Sequence, residues 1–353
     1  MARRINHLTP PNRHESDADD SIESNSDKSA ITRESNNHNA DEGFHMAAPG
    51  HRPVSNRDTA TPTRAPAVRL EAATPESGRV KRPSLPYYKP PRRTQRQLEA
   101  AVLEGDSAPA SALALPDVAI ASFGDTAVLE AIIGTDDRVQ VSDDLMNANP
   151  WRQICALRIT SQTNQVYVGT GWFIGSGMLA TAGHCVFLQN DGGWAKSIDV
   201  VPAKHGPAEP FRVKSTHFNA VDGWTRDRSR DFDYGVIRLD DVRPGTALGN
   251  FEVESLADGE LVGVEAKISG YPADRLNAQY QFFHERPVKS VTDTRLDYDI
   301  DTFGGQSGSP IWQEGVHGSP VAIGIHTTGG VTSNSGTRIN DEVLDNLLRW
   351  LQG

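Results

Sequence analysis

A histidine, an aspartate and a serine lie far apart in this chain, each among neighbours that suit it to nucleophilic catalysis. Ser307 stands in Asp301-Thr302-Phe303-Gly304-Gly305-Gln306-Ser307-Gly308-Ser309-Pro310. Glycines around it let the backbone bend sharply and let a carbonyl approach without meeting a Cβ. In such a turn the amides of Gly305 and Ser307 point into one cavity, where they hold a developing oxyanion. A Gly/Ser surface loop is the bland counterpart, and the rest of the chain argues against it by supplying a base and an orienting acid. His184 follows small residues in Ala182-Gly183-His184-Cys185-Val186, so its ring can emerge at the end of a packed strand. A lone histidine is usually structural, but this flanking pattern favours a functional one. In Asp231-Phe232-Asp233-Tyr234-Gly235 two acids precede an alternating strand. A carboxylate there can lie dry against a histidine and fix its tautomer. Asp231 and Asp233 compete for that role, and solubility at a strand end is the ordinary reading of either.

The elements that must position these groups are mostly short strands. Ile154–Ile159 alternates, turns at Ser161–Gln165 and returns through Val166–Gly169 as a hairpin. Gly171–Gly175 continues the second strand, and Met178–Thr181 leads to His184. Further strands are expected at Asp199–Pro202, Phe211–Lys214, Gly235–Leu239, Val262–Ile268, Gly270–Pro272, Ile300, Pro310–Trp312 and Val321–His326. No βαβ alternation occurs, which leaves an all-β barrel or sandwich. One helix is expected, over Asp341–Leu351 with Asn340 as its cap. Val343, Leu344, Leu347, Leu348 and Leu351 form its apolar stripe.

Composition confines the folded part. All six tryptophans lie beyond residue 150, and the first sixty residues hold a single aromatic, Phe44. Residues 1–65 are polar and aperiodic and are expected to be disordered. Residues 79–96 are basic and Pro-rich, a solvated linker or a docking segment for an acidic partner. A short helix is expected from Thr94 to about Glu104. The net charge of −11 speaks against general nucleic-acid binding, and no apolar run is long enough to cross a bilayer. The N-terminus is basic but lacks the apolar stretch of a secretory signal. Cys155 and Cys185 fit either one disulfide or two buried thiols.

The order His184, Asp233, Ser307, with the motifs Thr181-Ala182-Gly183-His184-Cys185, Asp233-Tyr234-Gly235-Val236-Ile237-Arg238-Leu239 and Gly305-Gln306-Ser307-Gly308-Ser309-Pro310, resembles the chymotrypsin-fold serine proteases. Within them residues 131–353 are most similar to the glutamyl-endopeptidase branch. The resemblance implies two antiparallel six-stranded β-barrels and a C-terminal helix, preceded by a largely disordered leader over residues 1–130. It implies a serine endopeptidase acting on proteins or peptides without metal or cofactor. His184 would be the base, Asp233 rather than Asp231 its orienting acid, Ser307 the nucleophile, and the Gly305 and Ser307 amides the oxyanion hole.

In Gly324-Ile325-His326-Thr327-Thr328-Gly329 the histidine matches the one that reads an acidic side chain in that branch, with Thr327 beside it and Thr302 as the pocket threonine. Asp301 stands where the trypsin branch keeps a carboxylate for Arg or Lys, so cleavage after Arg/Lys is the alternative. A merely structural Asp301 and a catalytically silent binding barrel also remain open. Gln306 occupies the place of the aspartate that receives the new amine in trypsin-like zymogens, so that ion pair is missing. Ala131-Ile132-Ile133-Gly134 resembles a mature start of the glutamyl branch. Because Glu130 precedes it, self-cleavage there is expected of a Glu-specific zymogen. The resemblance implies secretion, despite the missing signal, and the leader is expected to bind a partner or the catalytic domain.

Overall fold

Alternating apolar residues and polar turns set out the first barrel in the computed structural model, which describes residues 47–58, 84–85, 119–120, 131–209, 211–315, 318–330 and 332–353. Strand Ile154–Thr160 pairs antiparallel with Val166–Gly175, from Ile154 opposite Trp172 to Thr160 opposite Val166. The polar turn closes with the Ser161 amide donating to the Gln165 carbonyl at 2.9 Å. Val166–Gly175 then pairs with Met178–Thr181, which pairs with Gly235–Arg238, which pairs with His217–Val221. On the other side Ile154–Thr160 pairs with Ser197–Pro202, and that strand with Val213–Ser215. Only Thr216 separates Val213–Ser215 from His217–Val221, so the chain itself closes the ring. Trp172, Phe173, Phe218, Trp224 and Tyr234 belong to the large core packed on this sheet, each buried.

The second barrel is a closed ring of six strands. Its order is Glu265–Gly270, Phe282–Val291, Arg295–Tyr298, Asn334–Arg338, Pro320–Gly329 and Pro310–Glu314, the last pairing back to the first. Ile268, Val288, Leu296, Tyr298, Ile311 and Ile323 pack inside it. Added strands bring each sheet to nine among the described residues. Three of them come from the leader: Pro53–Ser55 on His217–Val221, Ala119–Ile120 beside Tyr167 and Val168, and Ser84–Leu85 on Glu252–Glu254. The terminal helix runs Asp341–Gln352, and the Asn340 side chain accepts the Val343 amide at 3.0 Å. Its Val343, Leu344, Leu347 and Trp350 join the first barrel's core. Burial of each such side chain contributes about 1.5–3 kcal/mol, which fastens the end of the chain.

Several expectations shift. The strand expected from Val262 begins at Glu265, because Asp258–Leu261 is a helical turn and Gly263 adopts a φ of 81° behind it. Ile300 is buried but lies outside any strand. The Thr94–Glu104 helix falls outside the described residues. Residues 47–58 lie within the stretch expected to be disordered, yet they pack on the first barrel within a unit that runs Met46–Gly353. A polar segment needs no core of its own when a barrel edge supplies the hydrogen-bond partners. Cys155 and Cys185 are both free thiols, and both are buried. Among the described residues no helix is long and apolar enough to cross a membrane.

Candidate active site

His184 sits in the helical turn Gly183–Val186 that ends strand Met178–Thr181, and it is 1% exposed. Asp233 lies two residues before strand Gly235–Arg238, whose Gly235 pairs with Thr181 three residues before His184, so the strand pairing brings the two residues together. Asp233 Oδ2 lies 2.7 Å from His184 Nδ1, and its Oδ1 accepts the His184 backbone N–H at 2.8 Å. Since a carboxylate can only accept, Nδ1 carries the proton and the neutral ring keeps its lone pair on Nε2. That Nε2 is buried and has no hydrogen-bond partner among the described residues. Burial alone would lower the imidazole's pKa. The adjoining Asp233 charge, the Cys185 sulfur and hydrogen bonding to both outweigh that, and the net direction is well above the ordinary histidine value. Asp231 points elsewhere, its Oδ1 accepting the Thr294 hydroxyl at 2.9 Å.

Ser307 comes from the second barrel, and a first-barrel threonine that sequence reasoning missed holds its loop in place. Thr170 is fully buried. Its amide donates to the Ser307 carbonyl at 2.9 Å, its hydroxyl donates to the Gly305 carbonyl at 2.8 Å, and the same hydroxyl accepts the Tyr271 amide at 3.1 Å. The Cys185 thiol, next to His184, lies 3.7 Å from the Ser307 carbonyl. The glycines here are obligatory. Gly305 has a φ of 104°, and a Cβ there would fall 2.4 Å from the Tyr271 carbonyl oxygen. At Gly308, with a φ of 89°, a Cβ would fall 2.1 Å from the Thr170 oxygen and 3.0 Å from the Ala182 nitrogen. The serine loop therefore packs backbone to backbone against the turn that carries His184.

His326 borders the same loop. Gly308 N donates to the His326 carbonyl at 2.7 Å, and His326 N donates to the Ser309 carbonyl at 2.9 Å. Its Nδ1 lies 2.6 Å from the hydroxyl of Tyr298, a residue whose type and place in its strand pointed to no role. Tyr298 pairs with Asn334, whose side chain accepts the Ala131 amide at 2.8 Å and donates to the carbonyls of Ala131 and Ile300. Thr302 N donates to the same Ala131 carbonyl, and its buried hydroxyl has no hydrogen-bond partner among the described residues. The Thr327 hydroxyl lies 3.3 Å from Arg295 Nη1, and the Thr328 hydroxyl 2.9 Å from its Nη2. Burial lowers the pKa of that guanidinium.

Asp301 is 1% exposed, and its two carboxylate oxygens accept the amides of Ile133 at 2.7 Å and Asp137 at 3.0 Å. His284 Nδ1 lies 3.3 Å from it but accepts the Asp301 amide at 2.8 Å. That nitrogen presents a lone pair, and burial lowers the imidazole's pKa against the pull of Asp301, so the contact is no ion pair. Asp137, His284 and Asp301 bring possible metal-binding atoms within 4.8 Å of one another. Those of Asp301 and His284 already hold backbone amides, and Asp137 pairs with Arg286 at 2.8 Å. The cluster fastens residues 133–137 to the second barrel. Gln306 is fully buried, with Oε1 accepting the Phe303 amide at 3.1 Å.

Residues 169–323 match the trypsin-like peptidase domain family. The chain is 37% identical over 230 residues to a glutamyl endopeptidase of Bacillus licheniformis, spanning 63% of this chain and 69% of that protein. It is 34% identical over 222 residues to a Bacillus subtilis protein named extracellular metalloprotease, 62% of this chain and 69% of that one. A solved structure of Glu endopeptidase in complex with MPD superposes with a TM-score of 0.55 at 23% identity, covering 63% of this chain and 100% of the other. This last likeness concerns the fold.

Proposed function

The chain belongs to the chymotrypsin-fold serine proteases, in their glutamyl-endopeptidase branch, and we propose that it cleaves peptide bonds after glutamate with His184, Asp233 and Ser307 as its triad. It is a serine endopeptidase. Ser307 Oγ attacks the scissile carbonyl carbon while His184 Nε2 takes its proton. Asp233 keeps the other ring nitrogen protonated and stabilises the imidazolium. The amides of Gly305 and Ser307 hold the oxyanion, a contribution of about 3 kcal/mol per donor in serine proteases. The C–N bond breaks as His184 returns the proton to the leaving amine. Water then attacks the acyl-serine, giving its proton to His184, and as the ester C–O bond breaks His184 passes that proton to Ser307 Oγ, releasing the acid and restoring the free serine.

The observation that carries this reading is the buried 2.7 Å contact between His184 and Asp233, with the Ser307 loop packed against the same turn. Nε2 lacks a hydrogen-bond partner here, and the bond from Ser307 is expected to tighten on substrate binding. Glutamate preference is supported by His326 and by the buried Thr302 hydroxyl. A Tyr298 hydroxyl donating to Nδ1 would leave the proton on His326 Nε2, which would then donate to a substrate carboxylate. Cleavage after Arg/Lys finds less support, since both oxygens of Asp301 are engaged by backbone amides.

Self-cleavage after Glu130 would free the Ala131 amine where Asn334 already accepts from it. An extracellular site of action accords with the printed name of the B. subtilis relative. The test is a set of peptides varied only at the cleaved residue, run with the processed protein and with Ser307→Ala. Cleavage after Glu is expected, with a loss of about 10⁶-fold in the variant. Preferential cleavage after Arg, or activity surviving in Ser307→Ala, would refute the reading.

A further inference from the structure

We propose that residues 47–58 stay on the enzyme after the leader is cut, as a non-covalently held strand of the first barrel. The identity of the retained fragment rests on the Glu-directed processing above. The docking itself rests on geometry. Pro53, Val54 and Ser55 pair with Val221, Ala220 and Asn219 along the outer edge of His217–Val221. Asp222 N donates to the Arg52 carbonyl at 2.9 Å, Gly223 N to the Gly50 carbonyl at 3.0 Å, and Asn56 N to the Phe218 carbonyl at 3.2 Å. The Asn56 side chain accepts the Phe218 amide and donates to the Thr216 carbonyl. These bonds occupy edge groups that would otherwise be an open template for another strand.

One buried side chain pins the segment. His51 is 6% exposed and stands edge-on to Phe232 at 4.9 Å between ring centroids. Its Nδ1 lies 2.9 Å from the Tyr234 hydroxyl, while Asn346 Nδ2 donates to both that hydroxyl and the His51 carbonyl at 2.8 Å. Phe232 and Tyr234 flank Asp233. The segment thus braces the residues on either side of the orienting acid, and ties them to the terminal helix through Asn346.

The placing of glutamates matches this arrangement. None occurs from Gly43 to Leu70, while Glu42 and Glu71 bound that stretch, and Glu76, Glu99, Glu104 and Glu130 follow. A Glu-directed enzyme trimming its own leader would leave the peptide Gly43–Glu71 whole, with the docked strand in its middle.

The decisive experiment separates retention from self-processing. The full chain is made with Ser307→Ala and with residues 126–130 replaced by the recognition sequence of an unrelated site-specific protease, then cut there. Native mass spectrometry and gel filtration should find the severed leader bound one to one, with the Asp222 and Gly223 amides protected from exchange. Val54→Pro and His51→Ala should each weaken retention about tenfold or more. Asn56→Ala, a milder change, should weaken it less. A leader that separates at once, leaving a folded 131–353 piece with those amides exchanging freely, would overturn the proposal. In the self-processed protein the retained peptide should be Gly43–Glu71. Retention of a peptide with other ends would uphold the docked strand and refute Glu-directed trimming.

Discussion

Thr170→Val tests whether the first barrel positions the serine loop. The change preserves shape and burial but removes the hydroxyl that donates to the Gly305 carbonyl and accepts the Tyr271 amide. Two buried backbone groups lose their partner, and each orphaned group costs about 1–3 kcal/mol. The sum is about 2–6 kcal/mol, which for a domain of this size lowers Tm by about 4–24 °C. The rate should suffer separately. The loop carries both the proposed nucleophile and the proposed oxyanion amides, and a shift of about 1 Å at such a site costs about 100-fold. Thermal melting and steady-state kinetics on a Glu-containing peptide measure the two effects. We expect kcat to fall far more than KM rises, because the missing bonds set the geometry of reacting groups. Thr170→Ser keeps the hydroxyl and should lose only about 1 kcal/mol for its methyl. A Thr170→Val enzyme that melts within a degree of the parent with unchanged kcat would refute the idea that this contact holds the loop.

If His184 is the base, as proposed, it must be neutral to act; its pKa is raised, so the acid limb of kcat/KM should lie above the ordinary histidine value. The stability contributed by the charged His184–Asp233 pair is full below the unfolded histidine's pKa and is lost as pH rises through the folded one. Asp233→Asn should lower that limb and cut kcat about 10⁴-fold, the cost of the wrong imidazole tautomer in a serine protease; an unmoved limb would count against the pairing. Thr302→Val and His326→Gln should each reduce kcat/KM for glutamate about ten- to hundredfold while leaving cleavage after glutamine nearly unchanged, as competition between the two peptides would show. For His51, burial lowers the pKa against upward pulls from Glu342 and Asp222, with Phe232, Tyr234 and Asn346 also packed on the ring. Docking of residues 47–58 should weaken as pH falls through the unfolded histidine value, read by hydrogen exchange at Gly223.

Much about this protein was written in local sequence because its causes are local. Strand alternation and turn residues announced the hairpin at Ile154 and Val166, and the capped stripe announced the terminal helix. The glycines at 305 and 308 mark positions where a Cβ would strike the Tyr271 and Thr170 backbone, and their presence showed a tight turn before any partner was known. Residue types and order likewise pointed to His184, Asp233 and Ser307. Packing decided the rest, since a side chain's partners across a hundred residues leave no periodic trace. Asp231 and Asp233 look alike in sequence, but only Asp233 reaches the His184 ring, while Asp231 accepts from Thr294. For Asp301 the sequence leaves a specificity carboxylate and a structural one both open, and only the fold brings the amides of Ile133 and Asp137 onto it. Thr170, Tyr298 and Asn334 act through contacts between strands that no spacing encodes. Residues 47–58 looked too polar to fold because the strand they complete belongs to a barrel that begins far along the chain.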